Sequence, residues 1–137
     1  CTGLTNISIP NSITSIGVNT FNGCIGLTNI TIPDSVTSID WYAFERCTGL
    51  TSITIPKGVT SIGEKAFSGC ASLASITIPD SVTHISWWAF FNCTELMDIY
   101  YNGTIEQWIA IRKIDYWDSN TGNYTVHCTD GDIKKDN

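Results

Sequence analysis

One spacing constrains this chain more than any other feature. Cys1, Cys24, Cys47, Cys70 and Cys93 stand 23 residues apart. Aligned on them, the units read CTGLTNISIPNSITSIGVNTFNG, CIGLTNITIPDSVTSIDWYAFER, CTGLTSITIPKGVTSIGEKAFSG and CASLASITIPDSVTHISWWAFFN. A fifth unit opens as CTELMDIYYNGT and then diverges. A unit this short cannot bury its own apolar face, whereas stacked copies bury one another's. The period therefore dictates an elongated stack in which each residue meets its counterpart one unit away.

The L-x-x-I-x-I core within that period marks a leucine-rich-repeat solenoid, with short parallel strands stacked in 23-residue coils. Side chains alternate along a strand, so Leu27, Ile30 and Ile32 point inward while Asn29 and Thr31 point out. Pro33 ends the ladder because it lacks an N–H. Val36 and Ile39 belong to a second short extended arm. Ala43 and Phe44 close the coil on a tight helical or 3₁₀ turn. Two rungs run up the stack: Phe21, Phe44, Phe67 and Phe90 form one, and Ile7, Ile30, Ile53, Ile76 and Ile99 the other.

The full pattern C-x-x-L-x-x-I-x-I-P-x-S-V-T-S-I-G-x-x-A-F resembles the BspA-like, Treponema-type leucine-rich repeats over residues 1 to about 101. The segments IYYNGTIEQW and TVHCTDG resemble that family's terminal region. The resemblance implies a secreted or surface protein of a host-associated microbe, linked to adhesion. It also implies an extracellular location, with the targeting segment outside this stretch.

Four repeats fill residues 1–92. A partial fifth repeat and a small α/β C-terminal cap fill 93–129, and a polar tail follows over 130–137. Thr104 and Gln107 have capping-box spacing, so a helix is expected there. Ile105, Trp108, Ile109 and Ile111 would cover the last Phe and Ile rungs. Tyr124, Val126 and Cys128 alternate as a final strand, and Trp117 would fold back as a lid. From Asp130 on, the polar tail is expected to fray. The N-terminal coil has no comparable cap, so the chain reads as a fragment of a longer array.

A formal charge of −6 and the absence of any basic run exclude nucleic acid and an anionic membrane surface as partners. No apolar run approaches membrane-spanning length. Five of the six cysteines hold one structural slot, where small buried thiols fit better than a disulfide framework. No C-x-x-C pair suggests zinc. His84 replaces Ser15, Ser38 and Ser61 of the other repeats and reads as a solvated substitution. His127 has no evident partner, and Cys128 reads as a packing residue of the cap. No Ser-His-Asp grouping, phosphate cradle or sound calcium loop is present, since DSNTGN has Gly122 and Asn123 in the wrong order. The sequence thus points to a non-enzymatic chain with no metal or cofactor. Sequons at Asn6, Asn29, Asn92, Asn102 and Asn123 are by-products of an Asn/Thr-rich repeat, at least in the three that fall within the repeat frame.

Repeat copies also serve as an internal control: constant slots carry the scaffold, and variable ones are free of packing duty. The outward strand slot is Ser8, Thr31, Thr54 and Thr77, a plain polar ladder. Variation gathers just before and after the constant Ala-Phe pair. There stand Trp41 and Tyr42, Glu64 and Lys65, and Trp87 and Trp88, followed by Glu45 and Arg46, Ser68 and Gly69, and Phe91 and Asn92. Ala89 and Phe90 are core rungs. Trp87, Trp88 and Phe91 occupy slots where Glu64, Lys65 and Ser68 stand one coil earlier. The candidate partner-binding stripe is therefore Trp41, Tyr42, Glu45, Arg46, Glu64, Lys65, Trp87, Trp88 and Phe91. Three readings of it stand: contact with a partner, rings lying flat over their own coils as packing cover, or contact with a neighbouring domain of a longer protein. The expected function is a non-catalytic recognition or adhesion module, expected as a monomer, with a protein or glycan ligand on host or neighbouring cells. A structural spacer and a carbohydrate-binding module are the alternatives.

Overall fold

The computed structural model describes residue 3 and residues 5–135. In chain order the elements are β1 (Asn6–Ser8), β2 (Ser15–Ile16), β3 (Asn29–Thr31), β4 (Ser38–Ile39), β5 (Ser52–Thr54), β6 (Ser61–Ile62) and β7 (Ser75–Ile78). Then come β8 (His84–Ile85), β9 (Asp98–Tyr101), α1 (Ile105–Ala110), β10 (Arg112–Lys113), β11 (Thr125–Cys128) and β12 (Gly131–Lys134). The strands lie on two sides of the stack, with β1 and β3 pairing apart from two longer parallel ladders. One runs β2-β4-β6-β8-β10, and the other runs β5-β7-β9-β11 with β12 closing it antiparallel. Register follows the repeat: Ile39 faces Ile62, Ile62 faces Ile85, and Ile76 faces Ile99.

The core lies between the two ladders and the turns. Leu27, Leu50, Leu73 and Leu96 are fully buried, as are Phe44, Phe67 and Phe90. The phenyl rings stack at centroid distances of 5.2 to 5.4 Å, with those of Phe44, Phe67 and Phe90 nearly parallel. Stacking one ring per coil repeats the same aromatic contact along the whole axis, so every rung supports the next.

The I-x-I ladder is interrupted once. β1 pairs only with β3, and no ladder joins β3 to β5. A cleft of about 240 Å3 opens there between Thr31 and Thr54. Across the same junction the opposite edge stays closed, with Phe44 N–H donating to Ala66 O at 2.7 Å and Arg46 N–H to Ser68 O at 2.7 Å. The two coils splay on one edge while the turn edge holds them together.

Ala43 and Phe44 lie on consecutive tight turns rather than on a helix. Ala43 N–H donates to Asp40 O and Cys47 N–H to Phe44 O. The turns carry positive φ at Tyr42 and Arg46, which breaks helical continuity.

The cap follows its sequence in part. Helix α1 has the capping box: Gln107 N–H donates to the Thr104 hydroxyl at 3.2 Å, and Thr104 N–H donates to Gln107 Oε1 at 2.8 Å. Trp108 and Ile111 are buried, but Ile109 is exposed. One residue of helix advance turns Ile109 about 100° away from the face Trp108 buries. Trp117 closes the Phe stack edge-on, 6.1 Å from Phe90 at 83°. The tail does not fray over its described part. Gly131–Lys134 form β12 against β11, so Thr125–Cys128 is not the last strand.

The fifth coil is complete, with α1 inserted. Phe90 N–H donates to Trp117 O and Asn92 N–H to Ser119 O, as Phe67 does to Ala89 and Gly69 to Phe91 one coil earlier. Residues 114–120 thus repeat the double turn of the other coils.

Three ladder thiols, Cys47, Cys70 and Cys93, are free and fully buried. Each donates to a carbonyl two turns back at 3.1 Å, those of Phe21, Phe44 and Phe67. Burial pushes the Cys47 thiol up to about 11 and that of Cys93 to about 12. Cys24 departs from the expected thiol ladder, being disulfide-bonded. Cys1, expected in the same slot, lies outside the described residues.

Candidate functional site

The variable slots fall on the turn edge, where the chain reverses twice per coil. Asn19, Tyr42, Lys65, Trp88 and Tyr116 share one slot, and all five have φ between 54° and 66°. Asn19 and Tyr116 are exposed and Tyr42, Lys65 and Trp88 half-buried, and successive coils stack the last four of these side chains, from Tyr42 to Tyr116, on one another. Lys65 Nζ sits 5.7 Å from the centre of the Tyr42 ring and 5.6 Å from that of Trp88. The Trp88 and Tyr116 rings lie 6.1 Å apart at 10°. The result is a continuous column, Tyr42–Lys65–Trp88–Tyr116, in which an ammonium lies between two aromatic faces.

The preceding slot holds Trp41 and Trp87, exposed by 58% and 48%. Exposure of this order leaves about one face of each ring in water. Glu64, between them in the stack, is half-buried.

Behind the column lies a cleft of about 320 Å3, lined by Glu45, Arg46, Lys65, Trp88 and Phe91 together with Ser68, Gly69 and Asn92. Its floor comes from two coils whose turns are tied edge to edge, Gly69 N–H donating to Phe91 O at 2.7 Å. Gly69 has φ +75°, and a Cβ there would meet Arg46 Cγ at 3.4 Å. Glu45 accepts from Asn22 Nδ2 at 3.1 Å. Arg46 is exposed and forms no ion pair among the described residues.

Of the nine stripe residues expected from sequence, five meet in this cleft: Glu45, Arg46, Lys65, Trp88 and Phe91. Tyr42 joins them through Lys65, whereas Trp41, Glu64 and Trp87 lie in the adjacent slot and do not line it. Tyr116, Ser68 and Asn92 are additions. Tyr116 follows Trp88 by 28 positions rather than 23, because α1 is inserted, and the shifted spacing hides it.

The strand face ends differently from its Thr ladder. His127, on β11, places Nε2 2.8 Å from Asp98 Oδ1 and Nδ1 3.2 Å from Asp132 Oδ1. Its ring stacks on Tyr100 at 5.0 Å. The hydrogen bond to Asp98 first, and then the neighbouring Asp132, raise the imidazole pKa. Both ring nitrogens are engaged by carboxylates, which leaves neither free to act as a base. His84 sits half-buried in β8 opposite Ser61. Among the described residues no three His, Cys, Asp or Glu side chains gather as a metal site, and no helix is long and apolar enough to cross a membrane.

The leucine-rich repeat protein of T. pallidum superposes with a TM-score of 0.71 at 29% identity, covering 92% of this chain and 61% of that one. A leucine-rich cell surface protein of Faecalibacterium prausnitzii superposes at 0.62 with 38% identity, covering 78% and 34%. The chain therefore spans less than two thirds of either relative. No curated protein matches it. The model of the BspA type leucine rich repeat region matches residues 1–110 in six copies. With that match over most of its length, and the coil, cysteine and Phe ladders in place, this chain belongs to the BspA-type leucine-rich repeat family.

Proposed function

We propose that this chain is a non-catalytic recognition module of a bacterial surface or secreted protein, and that the aromatic column on its turn edge meets a protein partner. Solenoids of this type offer extended surfaces suited to protein partners. The observation that carries the reading is the half-exposure of Trp41 and Trp87 beside a column of aromatic and cationic side chains. Trp, Tyr and Arg are the side chains that most often anchor protein interfaces. Arg46 and Lys65 would fix orientation at the rim of the cleft, and Trp88 and Phe91 would supply apolar area. The surface character of the F. prausnitzii relative supports an extracellular setting.

The test is a binding screen of host matrix proteins and glycans against the 137-residue chain. It is run beside a Trp41/Trp87/Trp88 triple-alanine variant whose fold is checked by circular dichroism. A protein ligand that binds the parent and not the folded variant is the expected result. Equal binding by both, or none by either, would leave the chain as a spacer. Binding of glycans alone through the same tryptophans would make it a carbohydrate-binding module.

A further inference from the structure

The core rungs change character at the fifth coil. Lys113 pairs in register with Ile85, so it takes the position of Ile16, Ile39, Ile62 and Ile85 in the buried ladder. The same coil puts Trp117 where the others have Ala43, Ala66 and Ala89, as the Phe90 N–H to Trp117 O bond shows. Asp118, the next residue, therefore stands in the Phe slot. Three core positions thus carry a cation, an indole and a carboxylate.

These side chains open into a cleft of about 590 Å3 between α1 and the β11–β12 hairpin, a size suited to a small ligand. Trp108, Trp117 and Tyr124 form its aromatic walls, with neighbouring rings 6.0 Å apart and inclined at 65° and 56°. Three lysines line it, Lys113, Lys134 and Lys135. They are three of only seven basic residues in a chain of net charge −6. Asp118 is the one carboxylate on the lining, and its Oδ2 accepts from Tyr124 O–H at 2.7 Å.

Covering the stack requires apolar surface alone, which Trp108, Trp117 and Ile111 supply. It does not require a lysine in an isoleucine rung. Burial lowers the Lys113 pKa, with Asp118 acting in the opposite direction. Lys113 Nζ donates to Trp108 O at 2.6 Å, and a second carbonyl, that of Ile111, lies at 3.4 Å. The Lys113 Nζ also lies 4.6 Å from the centre of the Trp108 ring. An ammonium has three donors, so beyond the two carbonyls one is left for an anion. Lys134 and Lys135 each spend one donor on a threonine hydroxyl, those of Thr125 and Thr121.

The geometry points to a second binding site, in the cap, for a carboxylated sugar ring. The carboxylate pairs with the lysines in a charge-assisted contact. The C–H face of the ring lies on the indole of Trp117, which is half-buried where Trp108 and Tyr124 are buried, and whose negative π-face attracts it. The free oxygen of Asp118 accepts from a ring hydroxyl. This site is independent of the turn-edge column and does not rest on it.

The test uses tryptophan fluorescence and calorimetry on the 137-residue chain. Probes are sodium glucuronate and N-acetylneuraminate, with glucose as the uncharged ring and glutarate as a carboxylate without a ring. Lys113→Ile restores the ladder residue but removes a donor from the end of α1, so its fold is checked by circular dichroism. Lys113→Arg, which keeps the charge and the donors, is run beside it and should retain binding. The expected result is saturable binding of an acidic sugar, weakened about tenfold or more in Lys113→Ile and unchanged in the Trp41/Trp87/Trp88 variant. Three outcomes overturn the proposal: no saturable binding of either acidic sugar, glutarate binding as well as glucuronate does, or Lys113→Ile binding as well as the parent.

Discussion

Trp88 has a backbone conformation that suits it poorly. A left-handed φ costs an ordinary residue about 1–2 kcal/mol, and Asn less. Asn19 occupies the same slot one end of the column away. Replacing Trp88 by Asn relieves strain of about 1 kcal/mol while losing a stack on Tyr116 worth about the same. Trp88→Asn should therefore leave the thermal midpoint within a few degrees while abolishing partner binding. A large fall in the midpoint would show that the ring is there to hold the fold. The ladder thiols make a second case. Buried in apolar surroundings, Cys47, Cys70 and Cys93 should resist a disulfide reagent in the native protein, and half-buried Cys128 should react first. Their folded pKa values lie above those of the unfolded chain, so the fold binds more protons at alkaline pH. Stability from this source is full below the ordinary thiol value of 9.0 and falls as pH rises toward about 11 to 12. An alkaline titration of urea midpoints checks the sign. The slot these cysteines share was legible from the 23-residue period; the bond at Cys24 was not, since repeat spacing is the same for thiol and disulfide.

At the scale of elements, β12 shows how a strand escapes a sequence reading. Asp132, Ile133 and Lys134 carry one apolar residue among charges, a pattern that signals a solvated tail. What holds the strand is its antiparallel partner β11 and the His127 clasp, which joins Asp98 on β9 to Asp132 on β12. A histidine's partners depend on strand register, and register is not written locally. The imidazole pKa is raised in the fold, so the clasp stabilises fully below the unfolded value of about 6.5 and weakens as pH rises through the folded value. Hydrogen exchange at Ile133 and Lys134 should quicken across that rise, and His127→Gln should remove the pH dependence. Helix α1, by contrast, was legible in its capping box. Thr104→Ala should cost about 1 kcal/mol, read as a lower urea midpoint with an unchanged slope.

Over the whole molecule, the repeat makes the scaffold readable and the insertion makes the site partly unreadable. Ile30, Leu27 and Phe44 announce their places because four copies agree. Tyr116 and Lys113 do not, because α1 shifts them out of phase, and only the hydrogen-bonded stack shows which slots they fill. The Thr-lined strand face and the aromatic turn edge lie on different sides of each coil, so a partner's footprint distinguishes them. The most direct measurement is hydroxyl-radical footprinting of the chain with and without a protein captured in the binding screen. The account predicts protection at Trp41, Trp87, Trp88 and Tyr116. Protection confined to Thr31, Thr54, Thr77 and Tyr100, with the tryptophans as reactive as before, would contradict it.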